Sequence, residues 1–158
     1  MMKANKSLAA LLLGMLALFA EGLMGSKAEY GDLVAVPGLT AAASLNNHQY
    51  GVVRMVTGTT VNIASEVNVS GATKTAFGVL QNKPFVDEAA QVAVFGLSKV
   101  RAGGTITAGA PLSYNSSGHV IDALSGDVVI GRAMQAATTA NTFVLALIFP
   151  PVRWGSVA

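Results

Sequence analysis

Cysteine is absent from the 158 residues, which excludes a disulfide framework and any thiolate metal site. A chain without cysteine fits reducing and oxidising compartments alike. Charge is scarce as well: charged residues make up 11% against 52% hydrophobic ones, where an ordinary soluble domain carries about a quarter charged residues. Much of the surface must therefore be Thr, Ser, Asn, Gly and Ala, which suits permanent contact with partners better than free solution. The net charge is only +2. Lys3, Lys6 and Lys27, with Glu21, precede residue 29, and without them acids and bases balance. A formally neutral body removes the electrostatic case for nucleic-acid binding.

Groups able to do chemistry are equally sparse. The histidines, His48 and His119, read as exposed loop residues, and neither has a second histidine or a spaced carboxylate to complete a metal set. Asp87-Glu88 follows Pro84 in a loop. Asp122 and Asp127 flank Ser125-Gly126 in a turn, where Asp commonly bonds local backbone amides. These acids lack the close, glycine-bent pattern of a calcium loop. Gly103-Gly104 has neither the strand-then-helix context nor the Lys-Ser/Thr pair of a phosphate cradle. No serine stands in a Gly-x-Ser-x-Gly elbow. The chain reads as a non-enzyme with no cofactor and no metal, whose function lies in shape and surface.

What is present falls into two parts. Residues 1–28 begin with Lys3 and Lys6, continue with an apolar run from Leu8 to Ala20, and reach a small-x-small site at Ser26 and Ala28. Two readings stand. One is a secretory signal cleaved after Ala28. The other is a retained apolar helix, because Leu, Ala and Met are good helix formers and Ala10, Gly14 and Ala17 form a small-residue stripe for close helix approach. The run is short for a bilayer span, which takes about 20 apolar residues, so membrane contact arises only if the segment is a signal or an anchor.

From Glu29 onward the chain carries short strands and turns. Tyr30 to Leu45, with Pro37-Gly38, reads as an irregular or edge segment entering the domain. Strands are expected at Tyr50–Val56 and Thr60–Ala64, joined as a hairpin, then at Thr75–Leu80 and Gln91–Leu97, with an alternating continuation to Arg101. The Gln91–Leu97 run is apolar on both faces and should be covered on both. The plan then recurs: Pro111–Tyr114, a turn at Asn115–Gly118, His119–Ala123, Val128–Met134 and Thr142–Phe149. Phe77-Gly78 answers Ile130-Gly131. Two pseudo-repeats, about 50–104 and 105–149, predict an all-β domain over 29–158, a small sandwich or barrel of about eight short strands preceded by an N-terminal apolar helix. Pro150-Pro151 should end the last strand, leaving a tail over 150–158. Arg153 and Trp154, the sole tryptophan, either fold back on the domain or face a neighbour. Together with Leu12, Met15 and Phe19 of the apolar segment, they are the candidate partner-interface residues.

From Gly51 to Phe149 the sequence resembles the capsid cement, or head-decoration, proteins of tailed bacteriophages. The resemblance rests on FGVLQN at Phe77–Asn82, VDEAAQVAVFGLSKVRAGGTITAGAPL at Val86–Leu112, NSSGHVIDA at Asn115–Ala123 and VVIGRAMQAA at Val128–Ala137. It implies a compact β fold on the capsid surface of a virion. It also implies a homo-oligomer, a trimer above all, that clamps neighbouring major capsid protein subunits without catalysis, and some relatives form or anchor head fibres. Residues 1–28 depart from the family pattern. They keep a second expectation open, a secreted or periplasmic β-domain adhesin or surface-layer component.

Overall fold

The computed structural model describes residues 33–57, 60–63 and 76–155. The expected N-terminal helix, with Leu12, Met15 and Phe19, and the link from Ser65 to Lys74 lie outside the described residues. Among the described residues the all-β expectation is met, with nine strands: β1 (Val34–Ala41), β2 (Val52–Thr57), β3 (Thr60–Ile63), β4 (Ala76–Leu80), β5 (Ala89–Arg101), β6 (Pro111–Tyr114), β7 (Val120–Asp122), β8 (Val128–Ala133) and β9 (Phe143–Arg153). They form one curled sheet in the order β1-β3-β2-β4-β5-β9-β8-β6-β7. All ladders are antiparallel except β1 with β3. The added strand is β1: Pro37-Gly38 breaks its register against β5 between Val36 and Leu39 without ending the pairing, as a bulge on an edge permits.

The pairings repeat. The β2–β3 hairpin places β4 beside β2 and β5 beside β4. The β6–β7 hairpin likewise places β8 beside β6 and β9 beside β8. Each half is closed by a strand that precedes it. β1 runs parallel to β3 and antiparallel to the first half of β5. The second half of β5 runs antiparallel to β9, and Ala102, just beyond it, bridges to Val120 of β7 in parallel. β5 therefore ends one ring of pairings and opens the next. The changeover falls at Gly96: Phe95 is the last partner of β1 and Gly96 the first partner of β9. Gly96 holds φ at +112°, a conformation open to glycine and strained for side chains.

The shared apolar-Gly pair has a steric reason. A Cβ on Gly78 of β4 would lie 2.4 Å from the Ala93 carbonyl oxygen, and one on Gly131 of β8 would lie 2.5 Å from that of Leu147. Each neighbouring strand approaches too closely for any side chain.

Two apolar cores result. Leu39, Ala41, Leu45, Val53, Leu80, Ala90 and Val92 fill the first ring. The opposite face of the same strands, Val52, Val79 and Ala93, packs into a larger core with Val100, Ile106, Leu112, Tyr114, Val120, Ile130, Val144 and Ile148. Val92 and Ala93 are thus both fully buried although they point to opposite faces, so this part of β5 is covered on both sides. Farther along, Phe95 remains 50% exposed. Each fully buried Val or Leu contributes about 1.5–3 kcal/mol relative to an exposed one. Polar links join the halves: the Val52 amide donates to the Gly118 carbonyl at 2.7 Å and the Ala76 amide to the Tyr114 hydroxyl at 3.1 Å.

β9 corrects the expected stop at Pro150-Pro151, because it continues to Arg153. Val129 pairs with Val152 and Gly131 with Ile148, so a register shift takes up the intervening residues. Beyond Ile148, β9 has left β5, and prolines on a bulged edge forfeit no ladder bond.

Candidate interaction surface

Three surface features stand out among the described residues. The first is the C-terminal cleft of ≈ 430 Å³, lined by Pro111, Arg132, Phe149, Val152, Arg153 and Trp154 among others. The tail is held by its backbone: the Trp154 amide donates to the Asp127 carbonyl at 2.8 Å, and the Gly126 amide to the Trp154 carbonyl at 3.1 Å. Trp154 is folded back on the domain with its side chain still 42% exposed. Of the residues singled out in the sequence, Arg153 and Trp154 come together at this cleft with Arg132, while Leu12, Met15 and Phe19 lie outside the described residues.

The second feature is an apolar stripe that sequence reasoning missed. Leu97 pairs with Leu147, and Arg101 with Phe143, across β5 and β9. Arg132 of β8 pairs with the same Leu147 from the other side. Directly paired residues share a face, burial alternates along β9 and the later part of β5, and Arg132 is exposed, so these side chains look outward. Phe95, Phe143 and Met134 are about half exposed at 50%, 51% and 53%. Phe143 meets the Tyr50 ring edge-on, with centroids 5.4 Å apart. The signal lay in the run FVLALIF: a strand apolar on both faces has one core beneath it and leaves the other face for a partner.

The third feature is a patch of positive and amide groups where the halves meet. Asn46, Asn47, Gln49, Lys83, Arg101 and Phe143 line a cavity of ≈ 200 Å³. An Arg101 guanidinium nitrogen donates to the Asn47 carbonyl at 2.8 Å. His48 and His119 are half-buried, which corrects their reading as exposed loop residues. Burial first, and then the nearby Arg101 charge, lowers the pKa of both below the usual histidine value, and His48 adds a smaller push on His119. His48 Nδ1 and Arg101 Nε are buried with no hydrogen-bond partner among the described residues. No group of three or more His, Asp or Glu side chains able to hold a metal occurs among the described residues. The arrangement disfavours protonation of both histidines.

The family model for phage cement proteins matches residues 26–148. The chain belongs to that family. The match runs through both halves of the pairing scheme, from ahead of β1 into β9. Membership makes this cement-family chain a structural protein associated with the phage capsid. In fold it is similar to a crystal structure of the head fiber gp8.5 N base of bacteriophage phi29, with a TM-score of 0.54 and 17% identity. That likeness covers 77% of this chain and 99% of the fiber base. No curated protein matches the sequence.

Proposed function

We propose that this cement-family chain decorates the outside of a phage capsid, clamps neighbouring major capsid protein subunits and stabilises the shell, acting as a homo-oligomer with three copies as the expected state. The observation that carries the proposal is the family match across both halves of the domain. The likeness of fold to a head fiber base supports a place at the root of a fibre as one form of the same role. The surface agrees with it. A formally neutral β domain does not repel its own copies, and modest contacts repeated over a symmetric shell add by multivalency. The proposed role is non-enzymatic and needs neither cofactor nor nucleic acid. Residues 1–28 are taken as a segment apart from the 29–158 domain, retained in the virion, with Leu12, Met15 and Phe19 facing a partner. The proposal is tested by mixing the full chain with shells stripped of it and sedimenting them: the chain should pellet with the shells to a fixed copy number. Failure to co-sediment at any salt concentration overturns it.

A further inference from the structure

The loop between β4 and β5 is built as a rigid projection. The Asp87 amide donates to the Ala41 carbonyl, the Ala41 amide to the Glu88 carbonyl and the Leu45 amide to the Pro84 carbonyl, all at 2.9 Å. The Glu88 carboxylate accepts the Phe85 amide at 2.8 Å. Asn82 ties the base of the loop to the Ala89 carbonyl and the Gln91 amide at 2.7 and 2.9 Å. At the tip Asp87 holds φ at +63°, a strained conformation for a side-chain-bearing residue that persists only where its surroundings impose it. This bonding presents Phe85 and Val86 to solvent, each 55% exposed. A strained, cross-braced loop that displays two adjacent apolar side chains is a preformed contact point, because the ordering cost of binding has already been met in the fold.

The outward stripe on β5, β9 and β8 has complementary character. Phe95, Leu147, Met134 and Phe143 are exposed there, and Arg101 and Arg132 donate to backbone carbonyls. The Asp87 carboxylate has no partner among the described residues. Pairing the stripe with itself would gather Arg101 and Arg132 of both copies into one basic contact, an unfavourable arrangement. Pairing it with an apolar tip that carries an acid sets opposite charges beside matched apolar surfaces. The turn at Leu124 is the rival, since Leu124 is 72% exposed. Its acids are already engaged, Asp122 by the Thr107 amide and Asp127 by the Leu124 amide.

We infer that copies of this chain associate head to tail, the Phe85-Val86-Asp87 tip of one copy seating on the Phe95/Leu147/Met134 stripe of the next. The inference deepens the homo-oligomer part of the proposed function and rests on that reading. The contact uses two different surfaces, so the assembly closes into a ring if the rotation between copies allows. Because each subunit holds one tip and one stripe, defects in the two surfaces can complement each other.

The test is sedimentation analysis of the full chain as wild type, as Phe85→Ser and as Phe95→Ser, with circular dichroism to verify that both exposed-site variants stay folded. Wild type should be oligomeric, and each variant should weaken self-association by about tenfold or more, as loss of a central aromatic does. A one-to-one mixture of the variants should form dimers, because the tip variant keeps a sound stripe and the stripe variant a sound tip. A monomeric wild type, variants that keep the oligomer, or a mixture that stays monomeric would each overturn the inference. Stripped shells separate it from the capsid reading. Variants that are monomeric yet still pellet with shells uphold both. An oligomer untouched by Phe85→Ser with shell binding lost would assign the tip to the shell and overturn the inference alone.

Discussion

The two halves of the domain share a pairing scheme but are closed by different means. The first has a closing strand of its own, β1, which pairs along much of its length with β5 and with β3 at its end. The second borrows the latter part of β5 and reaches β7 through the Ala102–Val120 bridge alone. Their cores differ accordingly. The first ring is filled by small and medium aliphatic side chains. The second core includes Tyr114 and also takes in Val52, Val79 and Ala93 from the first half. The first half could lose its inner core and leave the second partly covered. The second cannot be lost without uncovering one face of the first.

The largest effect should come from breaking the common core. Tyr114→Ala should cost about 3–5 kcal/mol and lower the urea midpoint more than Leu45→Ala, whose cost of about 2–5 kcal/mol falls on the first ring alone. Equal losses would mean that the two cores carry equal weight. Next come the paired glycines. Gly78→Ala and Gly131→Ala each force a Cβ against a neighbouring carbonyl oxygen and should cost about 3 kcal/mol each. Gly104→Ala, with open space around it, should leave thermal unfolding unchanged. A large loss at only one of the two strand glycines would break their equivalence. Tyr114→Phe is a smaller change: it strands the Ala76 amide that the hydroxyl accepts, for about 1 kcal/mol in chemical unfolding.

The smallest expected effect is on pH. Burial, with Arg101 beside them, lowers the pKa of His48 and His119 in the folded chain. The unfolded chain therefore takes up protons first, near pH 6.5, and stability present above that value is lost as pH falls toward the lowered folded pKa values. Urea midpoints should drop between about pH 7.5 and about pH 5, and His119→Asn should flatten that slope. A midpoint that rises on acidification would contradict the placement of these histidines.

Local pattern carried much of the fold. β6 falls at Pro111–Tyr114 as expected, because Asn115–Gly118 is unambiguous turn chemistry, and β4 and β8 begin within a residue of their expected starts. Long-range closure was not legible. Nothing in Val34–Ala41 says that it runs parallel to β3, and Pro37-Gly38 made it read as irregular. Pro150-Pro151 looked like a stop because a single strand cannot show that its neighbour has already departed. Of the surface, Arg153 and Trp154 were visible from composition, whereas the stripe needed the register of β5 against β9. The clustering of His48, His119 and Arg101 needed the meeting of two loops far apart in sequence.

A chain that cements a capsid must raise the temperature at which the shell fails. DNA-filled shells with and without the bound chain are heated alongside a dye that reports released DNA. Release should come at a distinctly higher temperature when the chain is bound and return to the bare-shell value when it is stripped away. Identical release temperatures with the chain fully bound would contradict it.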